Sequence, residues 1–227
     1  MDISLYHADA GSGKPLILLH GNGEDGSYFD CQKEALARHF RVIALDTRGH
    51  GRSPRGTAPF TISQFAEDLR CFMDQQGIAR ASLLGFSDGG NIALTFALRY
   101  PERVDRLILN GANLFPSGVR LSLQLPIILR CCLASLTAWT GPQARRRLEL
   151  LRLMVFQPHI RPQALKALTI PTLVIAGTRD MIRDSHTRRI HASLPNAELV
   201  ILPGDHFIAR SNAPAFREAV EAFLLKE

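Results

Sequence analysis

The chain has 227 residues, a length that favours one large domain over two, and 46% of its residues are hydrophobic against 21% charged. This composition is that of an ordinary globular protein and excludes disordered, collagen-like and low-complexity chains. Four cysteines at irregular spacing form neither a disulfide scaffold nor a metal-binding pair. We therefore expect reduced thiols, no metal site, no cofactor and a cytoplasmic location.

The formal net charge of +6 raises the question of a nucleic-acid partner. Basic residues are spread along the chain, and the one tight run, Arg145 to Arg147, borders Leu148, Leu150 and Leu151 as on the solvated face of a helix. The sequence contains no zinc finger, RNA-recognition signature or basic stretch interleaved with aromatic residues. We predict a small-molecule partner and no nucleic acid, and the oligomeric state stays open.

The N-terminal residues lack the basic start and apolar stretch of a secretion signal, and we expect residues 1–11 to form the first strand. The most apolar stretch of the chain runs from Leu121 to Trp139. Gln124, Pro126 and Arg130 interrupt it, and an arginine in the hydrocarbon of a bilayer is costly. We predict no membrane span.

Short apolar runs, each closed by a turn residue, alternate along the chain with stretches of helical length and period. The further predicted strands are 15–20, 41–46, 81–86, 106–110, 172–177 and 198–202, and the predicted helices are 27–39, 61–76, 88–100, 184–194 and 213–225. Because nearly wholly apolar strands need helices on both faces, the pattern predicts the α/β class with a doubly wound, mostly parallel sheet.

Residues 114–170 break this alternation, because they contain several helical runs punctuated by prolines and no strand-like run. A structureless loop of that length is uncommon in a compact domain. We predict a core of residues 1–113 and 171–227 with a small helical cap inserted at 114–170. Two roles stay open for the apolar side chains of the cap, lining the acyl side of a pocket or sealing the cap onto the sheet. The candidates are Leu121, Leu125, Ile128, Leu133 and Trp139.

The predicted strand 81–86 runs into Gly85-Phe86-Ser87-Asp88-Gly89-Gly90, and a helix follows at once. Strand, G-x-S-x-G and helix in that order form a nucleophile elbow, a turn so tight that its serine takes a strained backbone conformation. Glycines at 85 and 89 let neighbouring segments approach, and the helix N-terminus favours developing negative charge. We predict that Ser87 is a covalent nucleophile.

A serine hydroxyl needs a base to accept its proton and a third group to orient that base. His206 directly follows the last predicted strand and Asp180 follows the strand at 172–177, so both are expected at the sheet edge that carries Ser87. The chain order Ser, Asp, His is that of the triads built on such elbows. Of the competing carboxylates, Asp184 is better explained as a helix cap, and Asp205 is too close to His206 in sequence to reach its ring.

Two backbone N–H groups are predicted to bind the oxyanion that forms during acyl transfer. One belongs to Asp88, and the other to Asn22 in the loop His20-Gly21-Asn22-Gly23. His20 itself is expected to hold that loop rather than to transfer protons. For the side chain of Asp88 two roles stay open, a favourable charge in the first helical turn or recognition of a protonated amine on the substrate.

Taken together, these landmarks resemble the α/β-hydrolase family. They occur in the family's order and span nearly the whole chain. The landmarks are His20-Gly21-Asn22-Gly23, Asp46-Thr47-Arg48-Gly49-His50-Gly51-Arg52-Ser53, the elbow, Gly177-Thr178-Arg179-Asp180 and Gly204-Asp205-His206-Phe207. The resemblance implies an α/β-hydrolase fold and cleavage of small carboxylic esters. Within the family, Ser87-Asp88-Gly89-Gly90 and Asn110-Gly111-Ala112-Asn113 are similar to the branch containing valacyclovir hydrolase, which cleaves amino-acid esters.

The elbow excludes the haloalkane dehalogenases and epoxide hydrolases of this family, since those enzymes use an aspartate where this chain has Ser87. Carbon–carbon bond hydrolysis and cofactor-free perhydrolysis use the same triad and stay open as alternatives. A non-enzymatic ligand receptor on the same fold is a third alternative, because fold does not imply function.

Overall fold

The computed structural model describes residues 2–226, whose strands form one seven-stranded sheet. The strands are β1 (His7–Ala10), β2 (Pro15–Leu19), β3 (Arg41–Leu45), β4 (Ala81–Phe86), β5 (Val104–Asn110), β6 (Thr172–Gly177) and β7 (Ala197–Leu202). The helices are α1 (Asp30–Leu36), α2 (Ile62–Gln75), α3 (Asp88–Arg99), α4 (Leu121–Thr137), α5 (Pro142–Phe156), α6 (Pro162–Leu165), α7 (Asp184–Ser193), α8 (Ile208–Ser211) and α9 (Ala213–Leu224).

The strands lie in the order β1-β3-β2-β4-β5-β6-β7. β1 runs antiparallel to β3, and every other neighbouring pair is parallel. The doubly wound, mostly parallel sheet predicted from the sequence is therefore confirmed. Since the connections between parallel strands place successive carboxyl ends at one edge, the loops after β2, β4, β5, β6 and β7 meet there.

Helices cover both faces of this sheet, which explains why β2, β4 and β6 are nearly wholly apolar. In β2, Ile17 and Leu19 belong to a core cluster with α2, α3 and α7. Leu16 and Leu18, on the opposite face, belong to a second cluster with α1, α8 and α9. Every residue of β4 and β6 is buried, so the two strands that precede the predicted nucleophile and acid are tightly packed.

The N-terminal strand is shorter than the sequence predicted. β1 covers only His7–Ala10 of the predicted 1–11, and Met1 lies outside the described residues. An ion pair draws the preceding residues away from the sheet, because the carboxylate of Asp2 accepts a hydrogen bond from Nη2 of the buried Arg48 at 2.6 Å. Arg48 also binds Asp68 of α2 through two hydrogen bonds of 2.7 Å each. This network ties the N-terminus to the loop after β3 and to α2.

Between β5 and β6 the chain forms α4, α5 and α6, within the segment predicted as a cap. Two contacts hold α5 above the loops at the carboxyl edge. Asn22 Nδ2 donates to the carbonyl oxygen of Leu150 at 2.8 Å, and Arg55 Nη2 lies 2.6 Å from Glu149 Oε1. The second helix of this segment is therefore fastened to the core by both a hydrogen bond and an ion pair.

Neither role proposed for the apolar side chains of α4 matches the structure. These side chains are largely exposed, so they neither line an enclosed pocket nor seal the helix onto the sheet: Leu121, Leu125, Ile128, Leu133 and Trp139. The physical reason is the orientation of α4, which buries Gln124, Cys131 and Ala134 and leaves its leucines on the opposite side.

A buried histidine joins α7 to the point where the chain leaves β5. His186 Nε2 accepts a hydrogen bond from the backbone N–H of Leu114 at 2.9 Å, and the edge of the ring packs against Phe115. Burial, together with the nearby Arg183 and Arg189, lowers the pKa of His186 to about 4. The ring must stay neutral, because a protonated imidazole has no nitrogen left to accept this bond.

We expect His186 to make the fold sensitive to acid. Below its ordinary pKa of about 6.5 the unfolded chain binds a proton that the folded chain excludes, so the free energy of unfolding falls as pH drops toward 4. His186→Gln keeps an acceptor for Leu114 but does not titrate. Urea unfolding at pH 7 and pH 5 should show a smaller loss of stability in the variant, by up to about 1.4 kcal/mol per pH unit. An equal loss in both proteins contradicts the assignment.

Candidate active site

Three side chains at the carboxyl edge of the sheet form one chain of hydrogen bonds. Ser87 Oγ lies 3.1 Å from His206 Nε2, and His206 Nδ1 lies 2.7 Å from Asp180 Oδ1. Asp180 Oδ1 also accepts the backbone N–H of Ile182 at 2.8 Å, which fixes the carboxylate. Both His206 and Asp180 are buried. The structure thus brings together the three residues that the sequence predicted as nucleophile, base and acid.

Ser87 is held in a strained backbone conformation between β4 and α3. Its φ of 53° and ψ of −118° lie outside the common regions, and among residues 2–226 it is the one non-glycine residue with positive φ. Its N–H donates to the carbonyl oxygen of Asn110 at 2.8 Å, and its own carbonyl accepts the N–H of Asn91 at 3.1 Å. Strain of this kind persists only where the surroundings determine it, and it is concentrated at functional sites.

The elbow is also packed too tightly to admit larger residues. A Cβ on Gly89 would lie 2.0 Å from the carbonyl oxygen of Leu19 at the end of β2. A Cβ on Gly85 would lie 2.3 Å from the carbonyl oxygen of Gly89. The close approach predicted for both glycines is confirmed, and it brings the start of α3 against the loop that follows β2.

The two backbone groups predicted for the oxyanion lie on these adjoining segments. Leu19 pairs in register with Gly85, so the loop containing Asn22 and the start of α3 share one edge of the sheet. Asp88 is the first residue of α3, and its N–H has no carbonyl one turn earlier to bind. Within residues 2–226 the backbone N–H groups of Asn22 and Asp88 donate to no protein acceptor, which leaves both available to a ligand.

His20 joins two loops of this edge. Its Nδ1 lies 2.7 Å from the carbonyl oxygen of Gly21, and its Nε2 accepts the backbone N–H of Thr47 at 3.0 Å. Burial lowers the pKa of His20 to about 4, so the ring is neutral at pH 7 and can donate from one nitrogen while it accepts at the other. These bonds give His20 the loop-holding position expected from the sequence.

Asp88 carries a buried carboxyl directly after Ser87. Only 9% of the residue is exposed. Its Oδ1 accepts Asn91 Nδ2 at 3.1 Å, whereas Oδ2 has no hydrogen-bond partner within the described chain. Burial raises the pKa of Asp88 to about 6, against the opposing effects of Asn91 and His206. The group therefore changes charge close to neutral pH, beside the serine.

The two competing carboxylates face away from His206. Asp184, predicted as a helix cap, is instead the first residue of α7, and its Oδ2 accepts Arg188 Nε at 2.8 Å. Asp205 Oδ1 accepts the backbone N–H of Phe207 and the hydroxyl of Ser211, each at 2.9 Å. Asp180 is thus the carboxylate that contacts the histidine.

Two further expectations concern the surroundings of the triad. The structure does not bring Trp139 to it, because the indole is 79% exposed and its Nε1 donates to the carbonyl oxygen of Leu136 at 3.0 Å. The predicted substrate-binding role of Trp139 therefore has no structural basis. Within residues 2–226, histidine, cysteine and carboxylate side chains do not gather in threes as a metal site requires.

Two residues that lie near Ser87, His206 and Asp180 were not identified from the sequence. Gly111 follows β5 with a φ of 61°, and a Cβ there would lie 2.7 Å from His206 Cε1 and 3.4 Å from Asp180 Oδ2. Arg120, just before α4, donates from Nε to the carbonyl oxygen of Asp180 at 2.7 Å. A glycine directly after a buried strand was a signal for the first, whereas no sequence pattern marks Arg120.

Comparison with known proteins agrees with this geometry. A family model described as the alpha/beta hydrolase fold matches residues 14–130. The putative carbamate hydrolase RutD of Caulobacter sp. (strain K31) is 31% identical over 258 residues, which cover 98% of this chain and 96% of the relative. The match extends along nearly the entire length of both proteins, so it includes the loops that hold Asp180 and His206.

Solved structures resemble the whole chain as well. A hydrolase from Pseudomonas aeruginosa PA01 is 29% identical, with a TM-score of 0.83 over 99% of this chain and 95% of its own. The enol-lactonase from Burkholderia xenovorans LB400 is 25% identical, with a TM-score of 0.83 over 99% of this chain and 97% of its own. The predicted likeness to the valacyclovir hydrolase branch stays a prediction.

We expect Gly111→Ala to impair the triad without unfolding the protein. The new methyl group would push the His206 ring out of line with Ser87 and Asp180, and a misplacement of about 1 Å lowers reactivity by about 10²-fold. The measurement is the rate at which a fluorophosphonate labels Ser87. Gly77→Ala is the matched control, because Gly77 has a similar φ of 64° but nothing within 4 Å of the added atom. Equal slowing in both variants would show that strain alone is responsible.

Proposed function

Because the chain belongs to the α/β-hydrolase family, we propose that it is a serine hydrolase that cleaves carboxylic esters of small substrates through an acyl-enzyme. The observation that carries the proposal is the continuous chain of hydrogen bonds from Ser87 through His206 to Asp180. The strained position of Ser87 at the start of α3 supports it, since the hydroxyl stands where a helix dipole favours developing negative charge.

In the proposed reaction His206 Nε2 takes the proton of Ser87 Oγ as that oxygen attacks the ester carbonyl carbon. Asp180 stabilises the imidazolium through Nδ1–H, and the N–H groups of Asn22 and Asp88 bind the oxyanion. Collapse of the tetrahedral intermediate breaks the bond to the alcohol, which leaves with the proton from Nε2. Water then attacks the acyl group, again with His206 as base, and releases the carboxylic acid.

A carbamate is the second candidate substrate class. The 31% identity to a putative carbamate hydrolase supports it, and the steps are the same with a carbamoyl group on the serine. The enol-lactonase supports the ester proposal, because a lactone is a cyclic ester. One substrate panel distinguishes the ester proposal from carbon–carbon hydrolysis, perhydrolysis and a receptor role. Catalytic turnover of simple esters favours the ester proposal. A single slow acylation favours a receptor.

We expect a fluorophosphonate to add one adduct to the intact protein, on the peptide that contains Ser87. Ser87→Ala should abolish this labelling and lower kcat for a small activated ester by about 10⁴-fold or more. His206→Ala should cost about as much, and the double variant little further, because the members of a triad act as a unit. If the Ser87→Ala variant is still labelled, the nucleophile is a different residue.

Asp88 supports a narrower proposal, that the preferred esters carry a protonated α-amino group on the acyl side. Its unpartnered Oδ2 is the feature that favours this class, since a buried carboxylate oxygen is costly until a donor reaches it. The carboxamide of Asn22 lies nearby and is tied to Leu150 of α5.

The amine proposal predicts a pH-dependent preference. The quantity to measure is kcat/KM for an α-amino acyl ester divided by kcat/KM for its uncharged isostere. The titration of any protein group that both reactions need affects both values equally and cancels in this ratio. It should rise as pH increases through about 6, where Asp88 ionises. It should fall again above about 7.7, where an α-amino group loses its proton. Asp88→Asn should flatten this profile, and a ratio of one at every pH in the wild type contradicts amine recognition while leaving the ester proposal intact.

A further inference from the structure

The outer side of α4 is an apolar face that nothing in residues 2–226 covers. The exposed fraction reaches 67% at Leu121, 61% at Leu129 and 70% at Leu136. Together with the other exposed apolar residues between them, these leucines recur at intervals of three to four positions, so they lie on one side of the helix. The face consists of Leu121, Leu125, Ile128, Leu129 and Leu136, with Trp139 in the turn that follows. Contiguous apolar patches on soluble proteins mark interaction sites.

The charge of the chain is concentrated in the same segment. Residues 114–170 contain eight basic residues and one acidic residue, a net charge of +7, whereas the other 170 residues contain 19 basic and 20 acidic, a net charge of −1. The excess of positive charge that characterises the whole protein therefore belongs to the segment with the apolar face.

Basic and apolar side chains adjoin one another there. Arg130 of α4 and Arg147 of α5 line one open cleft of about 490 Å³ together with Leu133. Both arginines are exposed, as are their neighbours Arg145 and Arg146. An apolar stripe with arginines along one side, and with a tryptophan at one end, resembles helices that lie in the interface of a bilayer.

We propose that the apolar face of α4 docks on an anionic lipid surface. The leucines enter the boundary between headgroups and acyl chains, the indole of Trp139 lies at headgroup level, and the flanking arginines contact lipid phosphates. Each basic residue near such a surface contributes attraction that salt weakens, and the buried apolar area adds a part that salt does not weaken.

Two other occupants fit the observations less well. A second copy of the chain would bring one segment of charge +7 against another, so repulsion opposes a symmetric contact through this face. By length and composition alone, Leu121–Thr140 is the one helical stretch in residues 2–226 that could cross a bilayer. If α4 crossed the bilayer, it would have to separate from α5, which would expose Gln124 to lipid and place Arg130 in the hydrocarbon. Docking at the surface keeps the fold intact.

The test uses Trp139, the single tryptophan of the chain, as its own probe. Vesicles of phosphatidylcholine with about 30% phosphatidylglycerol should shift the Trp139 emission to shorter wavelength and sediment with the full-length protein. Vesicles of phosphatidylcholine alone should bind far more weakly, and raising the salt from about 0.1 to 0.5 M should release most of the protein. A protein that stays on the vesicles at high salt and under alkaline wash is inserted, which overturns docking at the surface.

Two matched variants assign the binding to this face. Arg130→Gln with Arg147→Gln should weaken partitioning to the anionic vesicles by roughly 30-fold, from about a fivefold loss per arginine. Arg188→Gln with Arg189→Gln removes the same charge from exposed positions of α7 and should change partitioning by less than about threefold. Leu125→Ser with Leu129→Ser should abolish the emission shift while circular dichroism shows a folded chain.

Three further outcomes overturn the proposal. The first is an unchanged Trp139 emission with anionic vesicles. The second is equal weakening by the α4–α5 pair and the α7 pair, which indicates attraction without a defined face. The third is an emission shift that appears with rising protein concentration, without lipid, and disappears in the double leucine variant, which assigns the face to a second copy.

Discussion

The site depends on a backbone contact that leaves no room for a single extra carbon. At Gly89 a Cβ would lie 2.0 Å from the carbonyl oxygen of Leu19, so α3 starts directly against the end of β2. That approach forces the sharp turn at Ser87, and it places the free N–H of Asp88 beside the loop of Asn22. The strain at Ser87 and the position of the two proposed oxyanion donors therefore share one cause, the packing of two neighbouring parallel strands and the helix between them.

The core of the site was predictable because its residues directly follow strands. Ser87, Asp180 and His206 each stand within a few residues of the end of a largely apolar strand, and the carboxyl ends of parallel strands meet at one edge. The local sequence pattern and the fold then agree, so the position of each of these residues along the chain predicts where it lies in the structure. A glycine directly after a buried strand marked Gly111 as a special backbone position, but its contact with the histidine ring depends on a distance in the fold that the local pattern does not encode.

The orientation of the cap was not predictable for a different reason. α4 is apolar on most of its circumference, so periodicity does not identify the side that packs. The side that it buries carries Gln124, Cys131 and Ala134 rather than leucines. Small and polar side chains let α4 lie close to α5, and the larger apolar ones remain outside. Trp139 was assigned to the pocket on the ordinary rule that large apolar residues face inward, and this helix does not follow the rule.

Asn22 belongs to both parts of the molecule. Its backbone N–H is one of the proposed oxyanion donors, and its side chain holds the carbonyl oxygen of Leu150 on α5 at 2.8 Å. A substrate bulky enough to lift α5 must break that bond and loosen the loop on which its own transition state depends. In the proposed mechanism, steric selection and electrostatic stabilisation are thereby coupled through one residue, so an oversized acyl group would be penalised in turnover as well as in binding.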